Sequence, residues 1–150
     1  MRKVETKRLE ERTNIMDVLK YPILILLLIA ILRVLSFLMS YKLDFIFVIL
    51  TGIVYIYIGW SSIKNYKLSF KNTLFVGLVA IIISFVFFIF VLTLSGKSLL
   101  DYAGINLAEK GIPEEAKGIV TITATATSMI LSIIIGEILV LVGALIARKR

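Results

Sequence analysis

Two charges stand inside apolar stretches of this sequence, Arg33 within 21–41 and Glu137 within 118–147. A central Arg or Asp costs ~2.5–3.5 kcal/mol on membrane-insertion scales, so such groups face a protein interior and find partners. Depth arithmetic suggests that they find each other. Arg33 lies 12 residues past Tyr21, or ~18 Å along a helix, and Glu137 lies 11 residues before Arg148, or ~16 Å. On helices running in opposite directions, the two charges reach nearly one level and are expected to touch, directly or through one water. Two roles are open to the pair. It can be a buried salt bridge that sets helix register, or a substrate site in which Arg33 holds the carboxylate. A guanidinium neighbour makes a carboxylate harder to protonate, which argues against a simple proton relay. Tyr55, nine residues from Lys64 (~13 Å), and Ser84, twelve from Asn72 (~18 Å), reach the same layer. Arg33, Tyr55, Ser84 and Glu137 are therefore the candidate midplane polar cluster, with Ser36 one turn from Arg33.

Other chemistry has little to work with. His and Cys are absent, which removes the commonest general base, the thiol nucleophile and the usual transition-metal ligands. There is no Gly-x-Ser-x-Gly elbow and no paired-carboxylate motif. No Asp falls within an apolar run, Asp44 sitting at a helix mouth, so intramembrane aspartyl chemistry is not expected. Gly96-Lys97-Ser98 resembles the end of a phosphate-binding loop only superficially, because Val91 occupies the place of the required first Gly. The expectation is a non-enzymatic protein with no cofactor and no metal.

The elements that must carry these residues are helices. In 150 residues, 59% are hydrophobic and 18% charged, with a mean hydropathy of +1.00, which is too apolar for a soluble fold of this size. Four runs, 21–41, 45–63, 73–94 and 118–147, match or exceed the ~20 residues needed to cross a ~30 Å hydrocarbon core. The expected fold is an all-α, polytopic four-transmembrane-helix bundle, with helices at about 21–41, 45–63, 73–94 and 114–147. The first run is longer than a signal-peptide core and follows a charged segment, so it reads as an uncleaved anchor.

The net charge of +7 lies beside the apolar runs, which points to orientation in a bilayer rather than to nucleic acid. Residues 1–20 carry six bases (Arg2, Lys3, Lys7, Arg8, Arg12, Lys20), the second loop Lys64, Lys67 and Lys71, and the C-terminus Arg148, Lys149 and Arg150. The other two loops carry Lys42 and then Lys97, Lys110 and Lys117, so twelve bases stand against four. The positive-inside rule then places both termini in the cytoplasm of a cell-membrane protein. Segment 1–20 pairs Glu5 with Arg8 and Lys7 with Glu11 at helical spacing, which suits a surface helix on anionic lipid headgroups or a docking arm.

In the third loop, Ser98 and Asp101 have capping-box spacing. A short amphipathic helix from Ser98 to Glu109 is expected, with Leu99, Leu100, Ala103 and Leu107 on one face and Gly111 ending it. Pro113, Glu114 and Glu115 then suit the start of the last helix. Small residues recur at helical spacing: Gly52 and Gly59; Thr73, Gly77, Ala80 and Ser84; Thr121, Thr125, Ser128, Ser132 and Gly136. Such stripes let helices approach closely in lipid; a hydroxyl-lined path would use the same residues, with Thr123 and Thr127. Tyr21, Tyr41, Tyr57 and Trp60 read as interface anchors.

The resulting expectation is a small subunit or scaffold of a membrane complex, working with further membrane subunits or as a homo-oligomer. The alternative is a small transporter or channel with a midplane Arg33/Glu137 site. Reporter fusions after Arg150 and within 101–112 should register on opposite sides of the membrane; the same side for both would overturn the orientation.

Overall fold

The computed structural model describes residues 2–40, 43–107 and 109–149, with side chains from Met16 onward. Among the described residues the chain is entirely helical, with α1 Arg2–Leu38, α2 Asp44–Lys64, α3 Phe70–Leu94, α4 Leu99–Tyr102 and α5 Glu114–Arg148. Among the described residues four segments are long and apolar enough to cross a membrane: Met16–Leu38, Asp44–Lys64, Phe70–Leu94 and Glu114–Arg148. These suit a multi-pass membrane protein.

Local chemistry accounts for most boundaries. α2 carries Asp44 in its first turn and Lys64 in its last, each at the end its charge complements. The Ser69 hydroxyl accepts the Asn72 N–H and caps α3. α5 opens on Pro113, which occupies the N-cap and is followed by Glu114 and Glu115. α1 is one helix from Arg2 onward, so the charged segment and the first apolar run are continuous, with Pro22 inside. The side chains of Glu5, Lys7, Arg8 and Glu11 lie outside the described residues, as does Tyr41.

The loop helix is shorter than its periodicity suggested. The capping box forms, with Ser98 accepting the Asp101 N–H while the Asp101 carboxylate accepts the Ser98 N–H. Yet α4 is a single turn that ends at Tyr102, not near Glu109. Gly104 adopts φ +69°, the Gly104 N–H bonds the Asp101 carbonyl, and the Ile105 N–H bonds the Leu100 carbonyl. That is a Schellman closure seven residues before Gly111. Of the four residues expected on its inner face only Leu100 is buried; Ala103 is exposed.

Packing decides which helices meet. α1 and α5 each pack against both α2 and α3 and lie across the bundle from one another. Ile58, Val76, Ala80, Ile81 and Val140 form the fully buried centre where α2, α3 and α5 converge. A second cluster joins Ala30 and Val34 of α1 to Phe88 and Leu92 of α3.

α2 and α5 touch backbone to backbone. A Cβ on Gly59 would lie 1.9 Å from the Val140 carbonyl oxygen, and one on Gly143 would lie 2.0 Å from that of Ile56. Further from the termini the contact loosens, and a Cβ on Gly52 would meet only the Leu139 Cδ1, at 3.4 Å. Gly143 was not among the stripe residues singled out by spacing.

Adding a methyl at Gly59 or Gly143 forces the helix axes apart, because the obstacle is backbone. Gly59→Ala and Gly143→Ala should each destabilise by at least the ~1–3 kcal/mol typical of overpacking. Gly118→Ala, where a Cβ meets nothing within 4 Å, should be neutral or stabilising by up to ~1 kcal/mol. Thermal unfolding in detergent checks all three, and equal effects would refute the close approach.

Candidate functional site

Arg33 does not meet Glu137. It sits on α1 five residues before Leu38, ~8 Å from the end of the helix, and reaches the end of the bundle that carries α4. There its Nε donates to Asp44 Oδ1 at 2.5 Å and its Nη2 to Asp44 Oδ2 at 3.2 Å. Such a fork-to-carboxylate pair is the strongest geometry open to an arginine. Nε also donates to the Tyr102 hydroxyl at 2.8 Å, and that hydroxyl donates to Asp44 Oδ1. The guanidinium lies 4.9 Å from the Phe88 ring centroid and 5.2 Å from that of Tyr102. The Tyr102 ring in turn packs on Phe37 at 4.9 Å and edge-on to Phe88 at 5.2 Å. Three elements thus close on one cation: α1 supplies Arg33, the first residue of α2 supplies Asp44, and the single turn α4 supplies Tyr102.

Tyr102 carries the cost of this arrangement. Burial, and then the hydrogen bond it gives to Asp44, push its hydroxyl pKa up to about 12, against the opposing pull of Arg33. The neighbouring Asp101 is held below the usual carboxylate range by the Ser98 N–H and hydroxyl.

Tyr55 and Ser84 do meet, with Oη and Oγ 2.7 Å apart. Ser84 spends its proton on the Ile81 carbonyl at 3.0 Å, so Tyr55 is the donor. Both residues line a cavity of about 270 Å³ between the four long helices. Arg33 lines it as well, together with Leu26 and Ala30 of α1, Thr51 of α2 and Ser132 of α5. A second recess of about 110 Å³ is lined by Arg33, Ser36, Phe37, Asp44 and Tyr102. Three of the four expected cluster residues therefore share one cavity.

Glu137 is the exception. It lies on α5 between Gly136, whose Cβ would strike Ile81, and Val140, which fills the space at Gly77. Both carboxylate oxygens are buried and have no hydrogen-bond partner among the described residues. The correction to the expected Arg33–Glu137 contact has a plain cause. α1 and α5 occupy opposite corners, with α2 and α3 between them, and Arg33 reaches the start of α2 at Asp44, whereas Glu137 follows Gly136 at the level of Tyr55 and Ile81. Asp44, only 11 residues from Arg33 across a short turn, was the nearer acid.

Comparison with protein-family models, with curated proteins and with solved structures finds no match, so the chemistry of the site rests on its own residues.

Two outcomes follow for stability in detergent. A double-mutant cycle of Arg33→Leu with Asp44→Leu should show coupling of ~1 kcal/mol or more, discounted from the fully buried case because the Asp44 side chain is 50% exposed. The same cycle with Glu137→Leu should be additive within ~0.5 kcal/mol. Glu137→Leu alone should stabilise by ~1–3 kcal/mol, since it removes a buried carboxyl with no partner among the described residues. Coupling of Arg33 to Glu137 would refute this geometry.

Tyr102 adds a pH signature. Its ordinary value is ~10, so the stability tied to its proton is fully present below that pH and is lost as pH rises toward 12. Tyr102→Phe should show a smaller loss of thermal stability between pH 10 and 12 than the unaltered chain; an equal loss refutes the assignment.

Proposed function

We propose that this chain is a non-enzymatic integral membrane protein with both termini in the cytoplasm, serving as a small subunit or scaffold of a membrane complex. The observation that carries this reading is the uneven coverage of α5. From Glu114 to Ile135 no residue is buried, the first buried position being Gly136. The helix has 35 residues, ~52 Å, against a hydrocarbon core of ~30 Å. This half mixes Ala, Thr and Ser, small residues that let a second helix approach in lipid, with exposed Ile119, Ile122 and Ile130. Thr121, Thr125 and Thr127 give their hydroxyl protons to carbonyls one turn back, so they offer small, internally satisfied packing surface rather than open polar groups. A further membrane subunit or a second copy of this chain fits that surface, and anionic headgroups fit the basic N-terminal segment.

A transporter or channel is the second reading. What favours it is the cavity between the helices, not the expected Arg33/Glu137 site, which does not assemble.

The chain contains no cysteine, so a single introduced thiol reports its own neighbourhood. Ala126→Cys, on the exposed face of α5, should cross-link in native membranes to a second copy or another membrane protein, whereas Phe75→Cys, on the exposed face of α3, should not. Absence of any adduct at Ala126, with the monomer recovered throughout, would overturn the subunit reading.

A further inference from the structure

The cavity is open on one side, and the positions of its rim residues show where. Val48 of α2 is 49% exposed, and Leu131 and Ile135 of α5 are 53% and 58% exposed, yet all three line it. The opening therefore lies between α2 and α5, on the surface that lipid would cover. It follows from the glycine contact: the two helices are pinned at Gly59 and Gly143 and part toward the α4 end. The cavity then runs from Tyr55 and Leu139 to Arg33, over about seven helical residues of α2 (Val48 to Tyr55), or ~10 Å. Its walls are mainly apolar, and the polar groups within reach are few.

At the far end the guanidinium keeps donors in reserve. Asp44 and Tyr102 engage Nε and one Nη2 hydrogen, while Nη1 carries no hydrogen bond among the described residues. Ser132, on the opposite wall, likewise has none among them. Arg donates only, so a group that completes this edge must be an acceptor, and a planar carboxylate matches two parallel N–H bonds. The recess around Arg33, about 110 Å³, is lined besides by Ser36, Phe37, Asp44 and Tyr102, which suits a compact head.

We propose that this cleft binds a long-chain carboxylate, its alkyl chain entering from the bilayer between α2 and α5 and its carboxylate on the free Nη1 edge of Arg33. The assignment does not rest on the subunit reading, but it needs the rim at Leu131 and Ile135 left to lipid. In it, Asp44 both holds the arginine in place and competes with the ligand for its charge, and α4 closes over the head through Tyr102.

The test is native mass spectrometry of the full chain in detergent, titrated with palmitate, hexadecanol and lysophosphatidylglycerol. One palmitate should be retained per chain, at least tenfold more strongly than either of the others. Ser132→Phe, which fills the cavity without removing a hydrogen bond seen among the described residues, should weaken palmitate at least tenfold. Arg33→Gln should abolish the preference for palmitate over hexadecanol. Asp44→Asn should tighten palmitate severalfold, a change that a purely structural role for Asp44 would not produce. Hexadecanol or lysophosphatidylglycerol retained as strongly as palmitate would overturn the carboxylate assignment. Palmitate bound equally by the Ser132→Phe chain would place it outside the cavity and overturn the site.

Discussion

The contact of α2 and α5 at Gly59 and Gly143 is the constraint from which the rest of the bundle follows. Two glycines put the backbone of each helix against the carbonyls of the other, at distances no side chain permits. In lipid there is little hydrophobic gain from bringing helices together, so close van der Waals contact of this kind has to supply the attraction. Val140 then fills the wedge beside Gly59 and Gly77 and ties α3 to the same level. With α2 and α3 both against α5, α1 is left the far corner, where it packs on α3 through Val34 and Phe88.

That arrangement also explains why a cation is tolerated near the end of α1. Arg33 cannot reach α5, but the turn to α2 brings Asp44 beside it, and α4 lays an aromatic hydroxyl across both. A carboxylate in a forked pair, two aromatic faces and a phenol together replace much of what water would have provided. The brevity of α4 belongs to the same device. A longer helix from Ser98 would have continued past Gly104, whereas a single turn closed by that glycine sets Tyr102 at the C-terminal edge, over Arg33.

α5 divides into two halves with different surroundings. Past Gly136 its small residues are used up by α2 and α3; before it, the helix has no buried position. Glu137 falls just past the boundary, its oxygens covered by the bundle and unmatched among the described residues. The cavity occupies the corresponding space between the diverging helices, so one packing decision at the glycines leaves both an open cleft and an uncovered helix.

Much of this was legible in the residues themselves. Run length and hydropathy are local sums, so four long apolar helices could be read directly. The capping box at Ser98 and Asp101 depends on neighbours three residues apart, and it forms as its spacing implied. Arg33, Tyr55 and Ser84 were grouped by the rise of a helix, and those three do line one cavity. What the residues could not convey was which helix stands beside which. Rise per residue counts along one helix and contains nothing about azimuth, corner or the offset of neighbouring helices, so Arg33 and Glu137, matched by counting, stand apart in the bundle. The choice among possible partners is made by packing volumes summed over whole helices. Gly143, Asp44 and Tyr102 acquire their roles only once α2 lies against α5 and the last turn of α1 lies under α4.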